Sequence, residues 1–448
     1  MKVYRLPRGG FRITDSRIPG TESDAGPVQE PCAIAYLPAI SVVPLTQHAG
    51  PASRTLVASG DLVHEGMLVG RAEARGAAHI HAPVSGRVLK IVRWRMSDGR
   101  ETEALVLRMQ GAFTLLGKRR ETWDADSISP HELKRVLQDK GVVDMEGDGA
   151  PLAELIARYR SASKGTVLLF NALHDDPWKT ANRYVARQYP EKMIRALALL
   201  ARAASMDTIY CAIAPEDREL ARSLAEEAVA RKVPLEFLYC ERRYPLGARE
   251  ELSRLLIRRR GGTPAANSSA ADAPFVLGAS TLLAVHDALV HNLPVLERHV
   301  AVGGSAVKNP AILRVRLGTR IGDVIAECGG FVDDPGRIVL NSLINGLSVD
   351  DLDVPITKTV HAIIVEGRSS SGSIKSAPCI SCGECRQVCP RLLDPERLLK
   401  MALRGRIGDL RTGGLADCIA CNACAVVCPS RIPIPTIFRS ADGKGGAL

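Results

Sequence analysis

Through the middle of the chain, short apolar runs alternate with stretches of helical periodicity. "GTVLLFN" (165–171) and "DTIYCAIA" (207–214) have strand length, "PEDRELARSLAEEAVARK" repeats its apolar positions at helical spacing after Pro215, and "VPLEFLYC" reads as the next strand. This alternation predicts a parallel sheet in a Rossmann-like α/β domain over 116–298. Upstream, residues 44–92 carry short valine and leucine runs punctuated by Gly60, Gly66, Gly70, Gly76 and Gly86, the pattern of a small all-β unit within an N-terminal region 1–115. Downstream, 299–366 reads as short strands around one helix, a β-grasp pattern. "GRSSSGSIKSAP" (367–378) is expected to be a flexible linker into a last domain, 379–435. The most apolar run, "APFVLGASTLLAVHDALV", contains His286 and Asp287 and is shorter than the roughly 20 residues of a membrane span. It is read as a buried helix.

Composition narrows the class. The 448 residues are rich in aliphatics and poor in aromatics, which fits several globular domains. The N-terminus "MKVYRLPRGGFRITDSRIPG" lacks the apolar core of a secretion signal, so a cytoplasmic chain is expected. The net charge of +10 is spread without a nucleic-acid recognition motif, which favours an anionic membrane face or an acidic partner protein over nucleic acid.

The chemistry is concentrated near the C-terminus. "CISCGECRQVCP" and "CIACNACAVVCP" share the spacing C-x2-C-x2-C-x3-C-P, in which three thiolates wrap one 4Fe-4S cube and the fourth crosses to the other. This predicts one cluster on Cys379, Cys382, Cys385 and Cys428, and a second on Cys389, Cys418, Cys421 and Cys424. A pair of zinc sites would not call for the third cysteine or the following Pro390 and Pro429. Gly383 and Asn422 suit a left-handed turn in each loop. Between the loops, Leu398, Leu399, Met401, Ala402 and Leu403 define a helix, so the domain is an α-helical ferredoxin. Arg404, Arg406 and Arg411 are expected near the clusters or on a solvated face. Cys32, Cys211, Cys240 and Cys328 are scattered and are read as buried small hydrophobes.

The all-β unit resembles the barrel-sandwich hybrid of biotinyl and lipoyl carriers, particularly in "GDLVHEGMLVG" and "HIHAPVSGRV". Those carriers present a lysine at a hairpin tip; here the tip reads "EARGAA", and Arg75 cannot be acylated in that way. The unit is therefore read as structural. Its His48, His64, His79 and His81 suit packing and surface roles better than a metal site.

The order of these parts, together with "PLTQHAG", "VLERHVAVGGSAVKNP", "GTRIGDVIAECGGF", "LDVPITK" and the two cysteine runs, resembles the C subunit of the Rnf electron-transport complex, a family related to the flavin-binding NADH subunit of complex I. The resemblance implies a peripheral subunit on the cytoplasmic side of the cell membrane, with no transmembrane helix of its own. It implies other Rnf-type membrane subunits and ferredoxin, or another low-potential carrier, as partners.

The family's flavin and NADH segments are altered here. The loop G-I-V-G-L-G-G-A-G-F-P-T becomes "GVVDMEGDGAPL", keeping Gly141, Gly147, Gly149 and Pro151 but placing Asp144, Glu146 and Asp148 where glycines or alanine stand, and Leu155 at the lysine position. N-G-A-E-C-E-P-Y becomes "NALHDDPW", keeping Asn171 and Pro177, with His174 and Asp176 at the acidic positions. N-V-x-T becomes "GAST", keeping Thr281. Carboxylates repel the phosphate that such a loop exists to cradle. The expectation is a relay that keeps the fold and clusters while losing FMN and NADH; the rivals are a full NADH-oxidising flavoprotein and a scaffold with static clusters. Asp144, Glu146 and Asp148 also invite a calcium reading, but a solvated turn is preferred because the other ligands of such a loop are missing.

Overall fold

The computed structural model describes residues 2–12, 32–111, 122–160, 167–206, 208–262, 273–368 and 375–441. Part of the 367–378 linker lies outside them. The α/β domain is built on five parallel strands in the order Val3–Tyr4, Leu235–Cys240, Ile209–Ile213, Leu168–Ala172, Phe275–Leu277. Continuously buried runs such as 209–213 suit a sheet covered on both faces. Helices Pro190–Ala204 and Ala279–His291 supply one covering layer, and Arg249–Arg259 packs in the core on the opposite face. Sequence order reverses between strands 168–172 and 275–277, so the crevice at their carboxyl ends is the topological switch point where such sheets bind ligands.

The apolar run 273–290 is two elements rather than one helix. Phe275–Leu277 is the edge strand and Ala279–His291 the helix, because Gly278 at the helix cap keeps an extended backbone between them.

Within the N-terminal region 1–115, two strands outside the barrel sandwich join other sheets. Val3–Tyr4 extends the α/β sheet, while Cys32–Ile34 pairs with Ala311–Arg316 and becomes the edge of a six-stranded β-grasp sheet. Cys32 at that edge is half-buried, whereas Cys211, Cys240 and Cys328 are buried as expected. The barrel sandwich itself consists of a four-stranded sheet (Ile40–Pro44, Glu101–Met109, Gly86–Arg95, Leu62–Val63) against a three-stranded one (Arg54–Thr55, Leu68–Arg71, Ile80–His81). Val43, Leu45, Val69, Ile80, Val88 and Leu105 fill the space between them.

Polar groups lock these units together. Arg316 meets Glu65 at 2.6 Å with both side chains buried, joining the β-grasp sheet to the barrel sandwich. Lys358 is buried at the junction of three units, and its Nζ donates to the carbonyls of His79 (3.0 Å) and Gly141 (2.7 Å). Burial without a carboxylate partner pushes its ammonium down to about 7. The tip at Gly76 is docked as well, its N–H donating to Glu154 at 2.7 Å.

Candidate cluster and nucleotide sites

The cysteine domain is a compact helical unit. Asp394 caps Pro395–Leu403 by accepting from the Arg397 N–H, with Pro395 in the first turn, and Leu398, Leu399, Leu410, Ile434 and Phe438 form its core. Its two loops repeat each other in backbone as well as sequence. Gly383 and Asn422 both take left-handed conformations at the start of short helices Glu384–Val388 and Ala423–Val426. Ser381 and Ala420, equivalent positions one residue before the second cysteine, are left-handed too, with φ of 55° and 51°. Such a residue costs roughly 1–2 kcal/mol without compensation, and both loops carry it at the same position.

The thiols converge on two cavities. Cys379, Cys382, Cys385 and Cys428 line one, with Leu399, Ile432 and Ile434. Cys389, Cys418, Cys421 and Cys424 line the other, with Leu393, Leu398 and Phe438. Each cavity takes three cysteines from one loop and a fourth from the other. Four soft thiol donors in an apolar lining fit an iron–sulfur cube.

The cavities face differently. Cys379 and Cys382 are exposed, and Ile380 between them is 68% exposed. The second loop is instead pressed against the α/β and β-grasp domains. Tyr244 donates to the Cys421 carbonyl at 2.8 Å and Asn422 donates to the Ile344 carbonyl at 2.9 Å; beside them Gly10 donates to the carbonyl of Val388, at the end of the first loop, at 2.7 Å. Phe11 stacks on Tyr244 behind this contact, their ring centroids 5.3 Å apart. The arginine that lines a cavity is Arg391, whose side chain is held between Glu251 (3.4 Å) and Asp417 (3.8 Å) and shielded from solvent. Arg404 and Arg406 are exposed, Arg406 pairing with Asp409, and the side chain of Arg411 lies outside the described residues. Neither Arg391 nor Tyr244 belongs to a motif that a sequence would reveal; the position of Arg391 directly after Cys-Pro is the one available hint.

The nucleotide segments do come together at the switch point, but their polar groups face one another. Asp144 is fully buried and pairs with Arg249. Burial pushes its carboxyl up, against the pull of Arg249. Glu146 accepts from the Ser280 N–H (2.6 Å), the Thr281 N–H (3.3 Å) and the Thr281 hydroxyl (2.5 Å), while that hydroxyl accepts from the Met145 N–H. Asp148 alone is exposed, accepting from the Ala150 N–H. The expected solvated acidic turn is therefore corrected for Asp144 and Glu146: each is directed into the protein, toward a cation and a helix terminus. They form no common cage.

The retained family positions serve the framework. Gly141 has φ +64° and lies so close to His79 that a Cβ would strike its carbonyl; Gly149 has φ +78° against His48. Gly147 is exposed over the Asp144–Arg249 pair, and Pro151 bridges to Val143. Asn171 donates to the Gly247 carbonyl at 2.8 Å. Asp176 turns away to accept from Ser342 (2.5 Å) and the Trp178 N–H (2.9 Å), linking to the β-grasp domain. Asp175, at the cysteine position of that family segment, accepts from the Gly247 N–H (2.7 Å) and Lys179 (3.0 Å). His174 is buried with neither ring nitrogen hydrogen-bonded to a described residue, and burial pushes it down to about 3. Among the described residues, His48, His64, His79 and His81 form no metal-ligand group.

The fold and site define a redox chain that joins a flavin-type α/β domain to a dicluster module. Matches to known families follow the same order: the RnfC barrel sandwich hybrid domain at residues 22–112, the Nuo51 FMN-binding domain at 137–287, the SLBB domain at 299–346 and a 4Fe-4S dicluster domain at 375–432. The C subunit of an ion-translocating oxidoreductase complex from Rhodobacter capsulatus is 30% identical over 410 residues, covering 91% of this chain and 78% of that protein. The C subunit of a proton-translocating ferredoxin:NAD(+) oxidoreductase complex from Clostridium ljungdahlii is 26% identical, covering 87% and 83%. The corresponding protein from Pseudomonas aeruginosa is 29% identical over 94% of this chain, which spans 53% of that longer relative. In fold, the chain is similar to an NAD+-reducing [NiFe]-hydrogenase chain in the H2-reduced state, with TM-score 0.52 at 16% identity, covering 72% of this chain and 62% of that one. The chain belongs to the RnfC family, the C subunits of Rnf-type complexes, and is a redox subunit of an ion-translocating oxidoreductase. Among the described residues, no helix is long and apolar enough to cross a membrane.

Proposed function

We propose that this chain is a two-cluster electron relay without a flavin or NADH site of its own. Cys379, Cys382, Cys385 and Cys428 hold one 4Fe-4S cluster, and Cys389, Cys418, Cys421 and Cys424 hold the other. The observation that carries this reading is the convergence of each set of four thiols on its own apolar cavity. Bound there, the clusters accept and release single electrons. The chain's residues hold them in fixed loops, shield the second cavity behind Phe11 and Tyr244, and leave the first at the surface beside Ile380 for exchange with a partner.

The partners are the other membrane subunits of an Rnf-type complex and ferredoxin or another low-potential carrier, in keeping with the names of the relatives. The chain sits peripherally on the cytoplasmic side of the cell membrane. The α/β domain keeps the flavin-type fold as a docking frame, with Asp144 and Glu146 turned into the crevice where a phosphate would need donors.

A reductive titration of the anaerobically purified full chain, followed by electron paramagnetic resonance, tests this. Dithionite should reduce two clusters, and NADH alone should leave both oxidised. Reduction by NADH in the isolated chain would restore the flavoprotein reading. Clusters that resist dithionite would favour the scaffold.

A further inference from the structure

At the switch point, Glu146 occupies the start of a helix. Helix Ala279–His291 begins there, directly after the edge strand, and its first N–H groups have no partners within the helix. Such a terminus attracts an anion through its free donors and its dipole. In this chain the donors are already taken: Glu146 receives the Ser280 and Thr281 N–H groups and the Thr281 hydroxyl. The fit is close, since a Cβ added to Gly278 would lie 2.5 Å from the Glu146 carboxyl carbon. Buried Arg298 and partly buried Lys179 both interact electrostatically with Glu146. Arg298 also donates to the Met145 carbonyl, holding the residue that precedes the glutamate.

We infer that Glu146 is a resident substitute for a phosphate group, so that the site is completed by the chain itself. Two features set it apart from an ordinary surface acid near a helix end. It is contributed by a segment 134 positions away in sequence, and its three donors all lie in the first turn. Its neighbour Met145 is anchored to the same Thr281, so the loop is registered on the helix at two consecutive residues. The acid therefore takes up the donors at the helix start and also staples the 141–151 loop to the helix. This inference rests on the reading that the site has lost its flavin, and it adds what replaced the cofactor's anion.

The test uses the full chain with its clusters and inorganic phosphate as the probe. Removing the anion in Glu146→Ala should lower the melting temperature of the α/β domain by roughly 3 °C, the scale expected for a lost helix-terminal anion in a domain of this size. Added phosphate should recover at least half of that loss, against chloride at equal ionic strength, and should leave the unmodified chain unmoved. Glu146→Gln retains the bulk without the charge; it should be destabilised and insensitive to phosphate. Phosphate that shifts neither or both chains alike, or a Gln variant as stable as the parent, would overturn the inference. FMN binding to the unmodified chain, read by flavin fluorescence, would instead sink the loss-of-flavin reading, whatever phosphate does to the alanine variant.

Discussion

The Tyr244 hydroxyl donates a 2.8 Å hydrogen bond to the carbonyl of Cys421, and so fastens the α/β domain to the loop that frames the inner cavity. Tyr244 is buried, and its ring is stacked on Phe11. Tyr244→Phe keeps the stack and leaves the carbonyl without its donor. A loss of about 1 kcal/mol is expected, read as a lower denaturant midpoint for cluster release. An unchanged midpoint would mean that the apolar contact alone docks the domain.

Arg391 and Glu251 make a second, ionic tie, with side chains 9% and 5% exposed. Arg391→Ala strands a buried carboxyl whose ionisation burial already opposes, and a loss of about 3 kcal/mol is expected. Arg391→Met with Glu251→Leu removes both charges and should recover most of it. Equilibrium unfolding of the two variants distinguishes a structural ion pair from a charge used only to tune the nearby cluster, since the second role would shift the potential and leave the stability of both variants at the parent's value.

The crossing of the fourth cysteine makes the two loops interdependent. Cys428→Ser should perturb the cluster whose other ligands are Cys379, Cys382 and Cys385, although Cys428 lies in the second loop; Cys389→Ser should perturb the cluster of Cys418, Cys421 and Cys424. Resonance spectra of the two variants should therefore lose opposite signals. Loss of the same-loop cluster in each case would show that the ligands do not cross.

Lys358 gives the fold a pH dependence of known sign. Its ammonium titrates near 7 in the folded chain and at its ordinary value of 10.5 when exposed. Between those values the unfolded chain binds more protons, so this group makes stability rise from pH 7 toward pH 10 and contributes no slope below 7. Lys358→Met should flatten that rise in unfolding free energy. A slope identical to that of the parent would place the lysine's charge outside the junction.

Much of this was legible in the sequence because the signals were local. Four thiols at fixed spacing, strands of continuous apolar residues and a helix with one apolar face depend on near neighbours. The pieces that escaped depend on distant ones. Nothing in "GVVDMEGDGAPL" says that Glu146 will meet Ser280, or that Asp144 will find Arg249, because those contacts arise only after the sheet reverses its order. For the same reason Val3–Tyr4 and Cys32–Ile34 read as part of an N-terminal unit, yet each completes the edge of a different sheet. The apolar run 273–290 looked like one helix because hydrophobicity alone does not register the change of backbone at Gly278.

The central claim is a chain with two clusters and no flavin, and the most direct test is analytical. Iron, acid-labile sulfide and acid-released flavin should be measured together on anaerobically purified protein. The account predicts about eight irons per chain with no flavin fluorescence. Stoichiometric FMN beside the clusters would contradict it and make NADH oxidation the leading function of the α/β domain.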